Sequence, residues 1–274
     1  MMELEKIQSD IENIWKNKDK LSDCGLKKVA KITIKKVIEL LERGKIRVAK
    51  KLSSGEWVVH TWIKQAILLH FLIEESRIIG NNNWWFDKIN NKFDGWNEER
   101  FRRLKIRAAP GCFVRQSVHI GTNVVLMPSF INVGAYIGSG TMIDTWSTIG
   151  SCAQVGKNCH ISGGVGIGGV LEPIQTSPVI IEDNCFIGAR SEVAEGVIIR
   201  EGSVLGMGVF IGASTKIIDR ETSKVLYGEV PPYSVVVPGS ISSKNNISTY
   251  CAAIVKKVDE KTRSKTSIND ILRD

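Results

Sequence analysis

From residue 125 onward the chain sets an aliphatic side chain at every sixth position: Val125, Ile131, Ile137, Ile143, Ile149, Val155, Ile161 and Ile167. After an interruption at 169–178, GVLEPIQTSP, the series resumes as Ile181, Ile187, Val193, Ile199, Leu205, Ile211 and Ile217. Four places after most of these stand compact residues, among them Ser129, Ala135, Thr141, Ser147, Cys159, Cys185, Ser191 and Ser203. A period of six matches neither the 3.6 of a helix nor the 2 of a lone strand. A unit this short, with one large and one small inward side chain and then a corner, cannot bury itself, so successive units must stack. The pattern predicts a parallel β-helix, of about five coils if three units make one turn.

The flanks have other periods. Leu4, Ile7, Ile11, Ile14 and Trp15 have helical spacing, and after a break near Ser22 to Gly25 a second stripe runs Val29, Ile32, Val37, Leu40, Leu41 to Gly44. Two strand-like runs flank Ser53-Ser54-Gly55, followed by the apolar segment IKQAILLHFLIEES. The Asn- and aromatic-rich run NNNWWFDKINNKFDGWNEERF reads as a loop-bearing connection. Past Ile217 a hairpin-like excursion near 219–228 leads to a proline-bounded strand, and apolar spacing over 247–258 and 266–273 predicts C-terminal helices that cap the solenoid. The expected organisation is a mainly β protein: an α/β N-terminal domain over 1–105, the β-helix over 106–239 and a C-terminal helical segment over 240–274.

Composition narrows the function classes. The 274 residues are 43% hydrophobic, enough for a substantial core, and contain no run of about 18 apolar residues that would span a membrane. The N-terminal stretch MMELEKIQSDIENIWKNKDK is charged throughout and unlike a signal peptide, so a cytoplasmic location is expected. Six cysteines, at 24, 112, 152, 159, 185 and 251, include no C-x-x-C pair, which suggests neither a zinc ribbon nor a disulfide framework. A net charge of +8 suits an anionic metabolite, and the basic residues form no stripe with interleaved aromatics, so no nucleic-acid partner is expected.

Adjacent side chains on a strand point to opposite sides, so Asp144, just after inward Ile143, faces out. Glu192, between inward Ser191 and inward Val193, does too. Most such acids are solvated surface groups. Here Met142, Trp146 and Phe186 nearby imply a covered face, and prism faces pack readily on copies of themselves.

Taken together, RVA, FRRLKIRAAPGCFVRQS, TMIDTWSTIGSCAQVGKNCHISGGVGIGGVLEP, IIEDNCFIGARSEVAEGV and YCAAIVKKVDEKTRSK resemble the tetrahydrodipicolinate N-succinyltransferases of the diaminopimelate and lysine pathway, over almost the whole chain. The resemblance implies a left-handed prism and a homotrimer with sites between subunits. It implies transfer of a succinyl group from succinyl-CoA, as acyl donor and not as a bound cofactor, to the amine of tetrahydrodipicolinate in its open form, 2-amino-6-oxopimelate. It places the substrate-binding residues at Arg107 and Asp144 and the catalytic carboxylates at Asp144 and Glu192. These residue types suit the chemistry: an Arg fork holds a carboxylate bidentately, and paired carboxylates orient an ammonium and help it deprotonate. No metal is implied. The residues that touch CoA are unassigned, Lys256, Lys257 and Lys265 being candidates for its phosphates, and whether Asp144 and Glu192 of one site share a chain is left open.

Several other readings compete. Gly164, Gly166 and Gly169 spell G-x-G-x-x-G, yet they lie inside the repeat and precede Pro173 instead of opening a helix, so they read as tight corners, not a dinucleotide site. His160 is outward and reads as a surface imidazole, with a general base as the alternative, while Cys159 and Cys185 occupy inward slots and read as core. The same fold supports other CoA-dependent acyltransferases, such as acetyltransferases. A zinc carbonic anhydrase would need three imidazoles, and only His119 and His160 lie in or near the repeat. A non-catalytic scaffold leaves the covered acids without a purpose.

Overall fold

The computed structural model describes residues 2–80, 85–242, 247–260 and 268–272. Helix α1 (Met2–Lys16) buries Ile7, Ile11 and Ile14, one apolar face at i, i+4, i+7. Helix α2 (Cys24–Glu42) begins at Asp23, whose Oδ1 accepts the Gly25 amide at 2.7 Å and so satisfies a donor that has no intrahelical partner. Its buried face is Ala30, Thr33, Ile34, Val37, Ile38 and Leu41. Val29 and Ile32, which the sequence suggested for that stripe, are 54% and 55% exposed, because helix α3 (Thr61–Ile73) packs one position further round. The strands β1 (Ala49–Lys51) and β2 (Trp57–Val59) form the antiparallel hairpin expected around Ser53-Ser54-Gly55. The Asn- and aromatic-rich connection holds a second hairpin, β3 (Arg77–Ile79) with β4 (Trp85–Asp87), and helix α4 (Glu98–Leu104); residues 81–84 lie outside the described residues.

The centre is a left-handed parallel β-helix of two-residue rungs on three faces. The first face stacks Arg107–Ala108, Val125–Leu126, Met142–Ile143, His160–Ile161, Phe186–Ile187 and Val204–Leu205. Above Phe113–Val114 the second face stacks Phe130–Ile131, Thr148–Ile149, Gly166–Ile167, Glu192–Val193 and Phe210–Ile211. The third runs His119–Ile120, Tyr136–Ile137, Gln154–Val155, Ile180–Ile181, Ile198–Ile199 and Glu229–Val230. Six rungs per face make one coil more than the spacing suggested. The missed coil lies out of frame: Ala108, Val114, Ile120 and Leu126 keep the six-residue step, but the corner from Leu126 to Ile131 is one residue shorter. Val125 is therefore an outward residue, and Leu126, fully buried, takes the inward slot. At the other end Ile217 leaves the stack to pair with Leu226, and Val230 occupies the slot above Ile199.

The C-terminal segment is not helical as the spacing predicted. Residues Ser248–Lys257 form a strand that pairs antiparallel with Ser234–Ser242 and parallel with Ile217–Asp219. The last coil leaves an open strand edge, and a helix could not supply the backbone groups to close it. Within 266–273 the described residues Ile268–Ile271 form helix α5, and the rest of that span apart from Leu272 lies outside the described residues. With the closing strands, Ile271 and Leu272 cover Phe186 and Val204 on the first face. The cover over Phe186 is thus supplied by the chain's own C-terminal segment. The N-terminal domain lies against the third face and the corner at Val133 and Cys152, and the 169–178 loop is tied to it by the buried Lys64 ammonium, which donates to the Thr176 carbonyl at 2.6 Å.

Inward aliphatics carry the stability of the prism. Ile149, fully buried between Ile131 and Ile167, has no room to relax if shortened. Ile149→Ala is expected to lower unfolding stability by about 2–5 kcal/mol, read as a shift in the urea midpoint at unchanged slope.

Candidate active site

Four-residue corners join the first face to the second: DTWS at 144–147, SGGV at 162–165 and GARS at 188–191. Their third residues, Trp146, Gly164 and Arg190, have φ of 61°, 66° and 60°, so the chain turns through the left-handed region in register. Backbone bonds stack the corners, with Gly164 N–H donating to the Thr145 carbonyl at 2.8 Å and Arg190 N–H to the Gly163 carbonyl at 3.1 Å. The middle corner, with glycine at 163 and 164 and followed by Gly166, has almost no side chains of its own, a side-chain hollow over which Arg190 and Glu192 of the next coil lie.

Charged groups reach this hollow from both sides. From the coil below, Asp144 accepts the Thr145 amide at 2.7 Å on Oδ1, and its Oδ2 lies 4.0 Å from where a Gly163 Cβ would stand. From the coil above, Glu192 pairs with Gly166 in the ladder, and its carboxylate folds down over that glycine. Arg190 lies along Gly164, with Cδ, Nε and Nη1 each 2.8 Å from the position a Cβ would take. The structure therefore brings Asp144 and Glu192 of one chain to the same glycine-bare corner across the 169–178 loop. Arg107 stands apart. It is exposed on the lowest rung of the first face, two rungs below the Asp144 coil, about 10 Å along the axis at the usual strand spacing.

Although Glu192 is exposed in the single chain, partial desolvation raises its carboxyl pKa from the ordinary value. A carboxylate so placed gives up its charge more readily and is the better proton acceptor near neutrality. His160, stacked on Phe186 with ring centroids 5.2 Å apart, has its pKa shifted down by desolvation, with the Asp144 charge opposing. Cys159 and Cys185 are buried in the prism as expected. Of the candidate phosphate contacts, Lys257 is 3.5 Å from Asp219 on the closing strand, Lys256 is beside it in sequence, and Lys265 lies outside the described residues. Among the described residues no three His, Cys, Asp or Glu side chains are grouped to hold a metal ion, and no helix is long and apolar enough to cross a membrane.

Sequence reasoning passed over Arg190 and read Gly166 only as a tight corner. The signal available was parity: an arginine in the left-handed corner position directly above Gly164, and a glycine in the slot directly below Glu192. A methyl at Gly166 would overlap the Glu192 carboxylate, which is flexible and would move aside. Gly166→Ala is expected to fold with a nearly unchanged melting temperature and to lower kcat/KM about tenfold or more, through misplacement alone.

The glycine hollow, the prism and the α/β domain in front of it have counterparts in known proteins. Residues 6–73 match the family model for the N-terminal domain of tetrahydrodipicolinate N-succinyltransferase. Residues 134–169 match bacterial transferase hexapeptide repeats, and 178–213 match the hexapeptide repeat of succinyl-transferase. The chain is 81% identical over 273 residues, 100% of both chains, to the 2,3,4,5-tetrahydropyridine-2,6-dicarboxylate N-succinyltransferase of Wolbachia sp. subsp. Brugia malayi. It is 84% identical over the same extent to that of Wolbachia pipientis wMel, and 56% identical over 283 aligned positions, again 100% of both chains, to that of Bartonella bacilliformis. A Campylobacter jejuni crystal structure bearing the name 2,3,4,5-tetrahydropyridine-2-carboxylate N-succinyltransferase shares the fold, with a TM-score of 0.52 at 14% identity, over 81% of this chain and 62% of that one. With both termini and the whole prism inside alignments of this identity, the chain belongs to the 2,3,4,5-tetrahydropyridine-2,6-dicarboxylate N-succinyltransferase family.

Proposed function

We propose that the protein transfers the succinyl group of succinyl-CoA to the amine of tetrahydrodipicolinate, in its open 2-amino-6-oxopimelate form, within the diaminopimelate and lysine pathway. The observation that carries this reading is identity of 81% and 84% over the entire chain to enzymes named for that transfer. The glycine hollow suits the step. The acceptor amine, as its ammonium, lies between Asp144 and Glu192, loses a proton to Glu192 and attacks the thioester carbonyl. The tetrahedral oxyanion is steadied by backbone N–H groups and collapses with loss of CoA thiolate, so no acyl-enzyme is needed. Arg190 is the fork at the corner for one acceptor carboxylate, and Arg107, two rungs away in the same chain, serves the other where a second prism carries it to the site.

The working form in this reading is a homotrimer in the cytoplasm. The N-terminal domain lies against the third face and the C-terminal segment covers the upper rungs of the first, whereas on the second face Phe130 and Phe210 are 39% and 52% exposed. At the adjoining corner Trp146 is 72% exposed. An apolar strip beside charged catalytic groups supports packing against a second prism, which would also exclude water from the hollow. The experiment is CoA release from succinyl-CoA with tetrahydrodipicolinate as acceptor, and acetyl-CoA as control. Release no faster than without acceptor, or equal use of acetyl-CoA, would sink the reading.

A further inference from the structure

A second cavity, of about 260 Å³, lies between the β1–β2 hairpin and the third face, away from the corner that holds Asp144 and Glu192. Arg47 forms one wall. Its guanidinium lies 3.6 Å over the Tyr136 ring and 5.5 Å from Trp57. Its Nε donates to Gln154 Oε1 at 3.0 Å, and the buried Gln154 is itself oriented by donating Nε2–H to the Cys152 carbonyl at 2.8 Å. Arg47 is thus fixed by its plane and one nitrogen, and its two terminal nitrogens have no hydrogen bond among the described residues. Holding a guanidinium out of water this way carries a desolvation penalty, which an anion on the free fork would offset.

Acids form the opposing wall. Glu182 is fully engaged, accepting from Lys51, Trp57 and Arg200 on Oε1 at 2.8, 2.8 and 3.0 Å and from the Glu201 amide on Oε2 at 3.2 Å. Asp183 accepts the Lys157 amide on Oδ1 at 2.8 Å, and Glu201 accepts from Asn184 on Oε1 at 3.3 Å. Each therefore retains one carboxylate oxygen with no hydrogen bond among the described residues. Of the two lysines in the lining, Lys51 is paired with Glu182 and Lys157 is exposed. One free guanidinium fork and two carboxylates with a free oxygen, all lining one cavity, are the complement of a molecule with one carboxylate and two ammonium groups. The cavity is smaller than the roughly 300–1,000 Å³ of pockets for drug-sized ligands, and its volume suits a single amino acid.

We propose that this cavity is a second ligand site, taking a free basic α-amino acid with its carboxylate on the Arg47 fork and its ammonium groups on Asp183 and Glu201. The site does not depend on the acyl-transfer reading. Because its walls come from both the N-terminal hairpin and the prism, a ligand there ties the two together.

The test is isothermal titration of the full-length protein with L-lysine, with cadaverine, which lacks the carboxylate, and pimelate, which lacks the ammonium groups, as comparators. One L-lysine per chain is expected, with cadaverine weaker by about tenfold or more for the loss of one charged hydrogen bond, and pimelate weaker still for the loss of two. Arg47→Gln and Glu201→Gln should each weaken L-lysine about tenfold, whereas Asp144→Asn should leave its binding unchanged. Since Arg47 also packs on Tyr136, Glu201→Gln carries the test if Arg47→Gln does not fold. No heat with L-lysine up to about 10 mM, comparators that bind as well, or equal binding by Glu201→Gln would overturn the proposal. So would binding lost in Asp144→Asn, which would put L-lysine in the acceptor site.

Discussion

Asp144→Asn is expected to lower kcat/KM by about 10²–10⁴-fold, the range attributable to a positioned acid–base group. The substitution keeps the size and the bond from the Thr145 amide, because the Asn oxygen can accept it as Oδ1 does at 2.7 Å. What it removes is the negative charge beside the Gly163 corner, which in the proposed mechanism holds the acceptor ammonium. The loss should fall on the acceptor side: KM for tetrahydrodipicolinate rises or kcat falls, and KM for succinyl-CoA hardly changes. Steady-state kinetics with each substrate varied in turn reads this directly. A variant with full kcat/KM would remove Asp144 from the mechanism.

Glu192→Gln is expected to be as damaging, with a signature that Asp144→Asn lacks. The folded protein holds the Glu192 carboxyl above its ordinary pKa through desolvation, so protonation persists to higher pH than for a free carboxylate near 4.3. If the ionised form accepts the amine proton, activity is present above that raised pKa and is lost as pH falls through it. The acid limb of kcat/KM should therefore be displaced upward from that of a free carboxylate and be absent from whatever rate remains in Glu192→Gln. Stability has the opposite sign. A raised carboxyl pKa means that, at neutral pH, ionised Glu192 destabilises the fold relative to its neutral form, so the Gln variant should melt no lower than the parent. An inactive variant with an unchanged acid limb, or one that unfolds, would assign Glu192 a structural role instead.

The prism could be read from the chain because its driving force is local. An aliphatic at every sixth position, with Ile143, Ile149, Ile161 and Ile167 all buried, satisfies itself only by stacking. Parity then singled out Asp144 and Glu192 as outward acids without any tertiary information. The same reasoning failed where the step changed by one. At Leu126–Ile131 a shorter corner around Pro128 moved Val125 to the outside and hid the lowest coil, because a period is blind to a change of frame. It failed again at 247–258, where apolar residues three and four apart fit a helix and the deciding fact was an unpaired strand edge at Ser234–Ser242, distant in sequence.

By itself, then, the sequence determined the repeat, the inward core and the parity of the acids, because each follows from neighbours within one or two hexapeptides. Register across the 169–178 loop was decided by the tertiary structure alone. Ladder bonds between coils, Glu192 on Gly166 and Arg190 on Gly163, are formed by residues 26 and 27 positions apart, and no local preference sets them. Those bonds bring Asp144, Arg190 and Glu192 to one glycine-bare corner, and they leave Arg107 two rungs away.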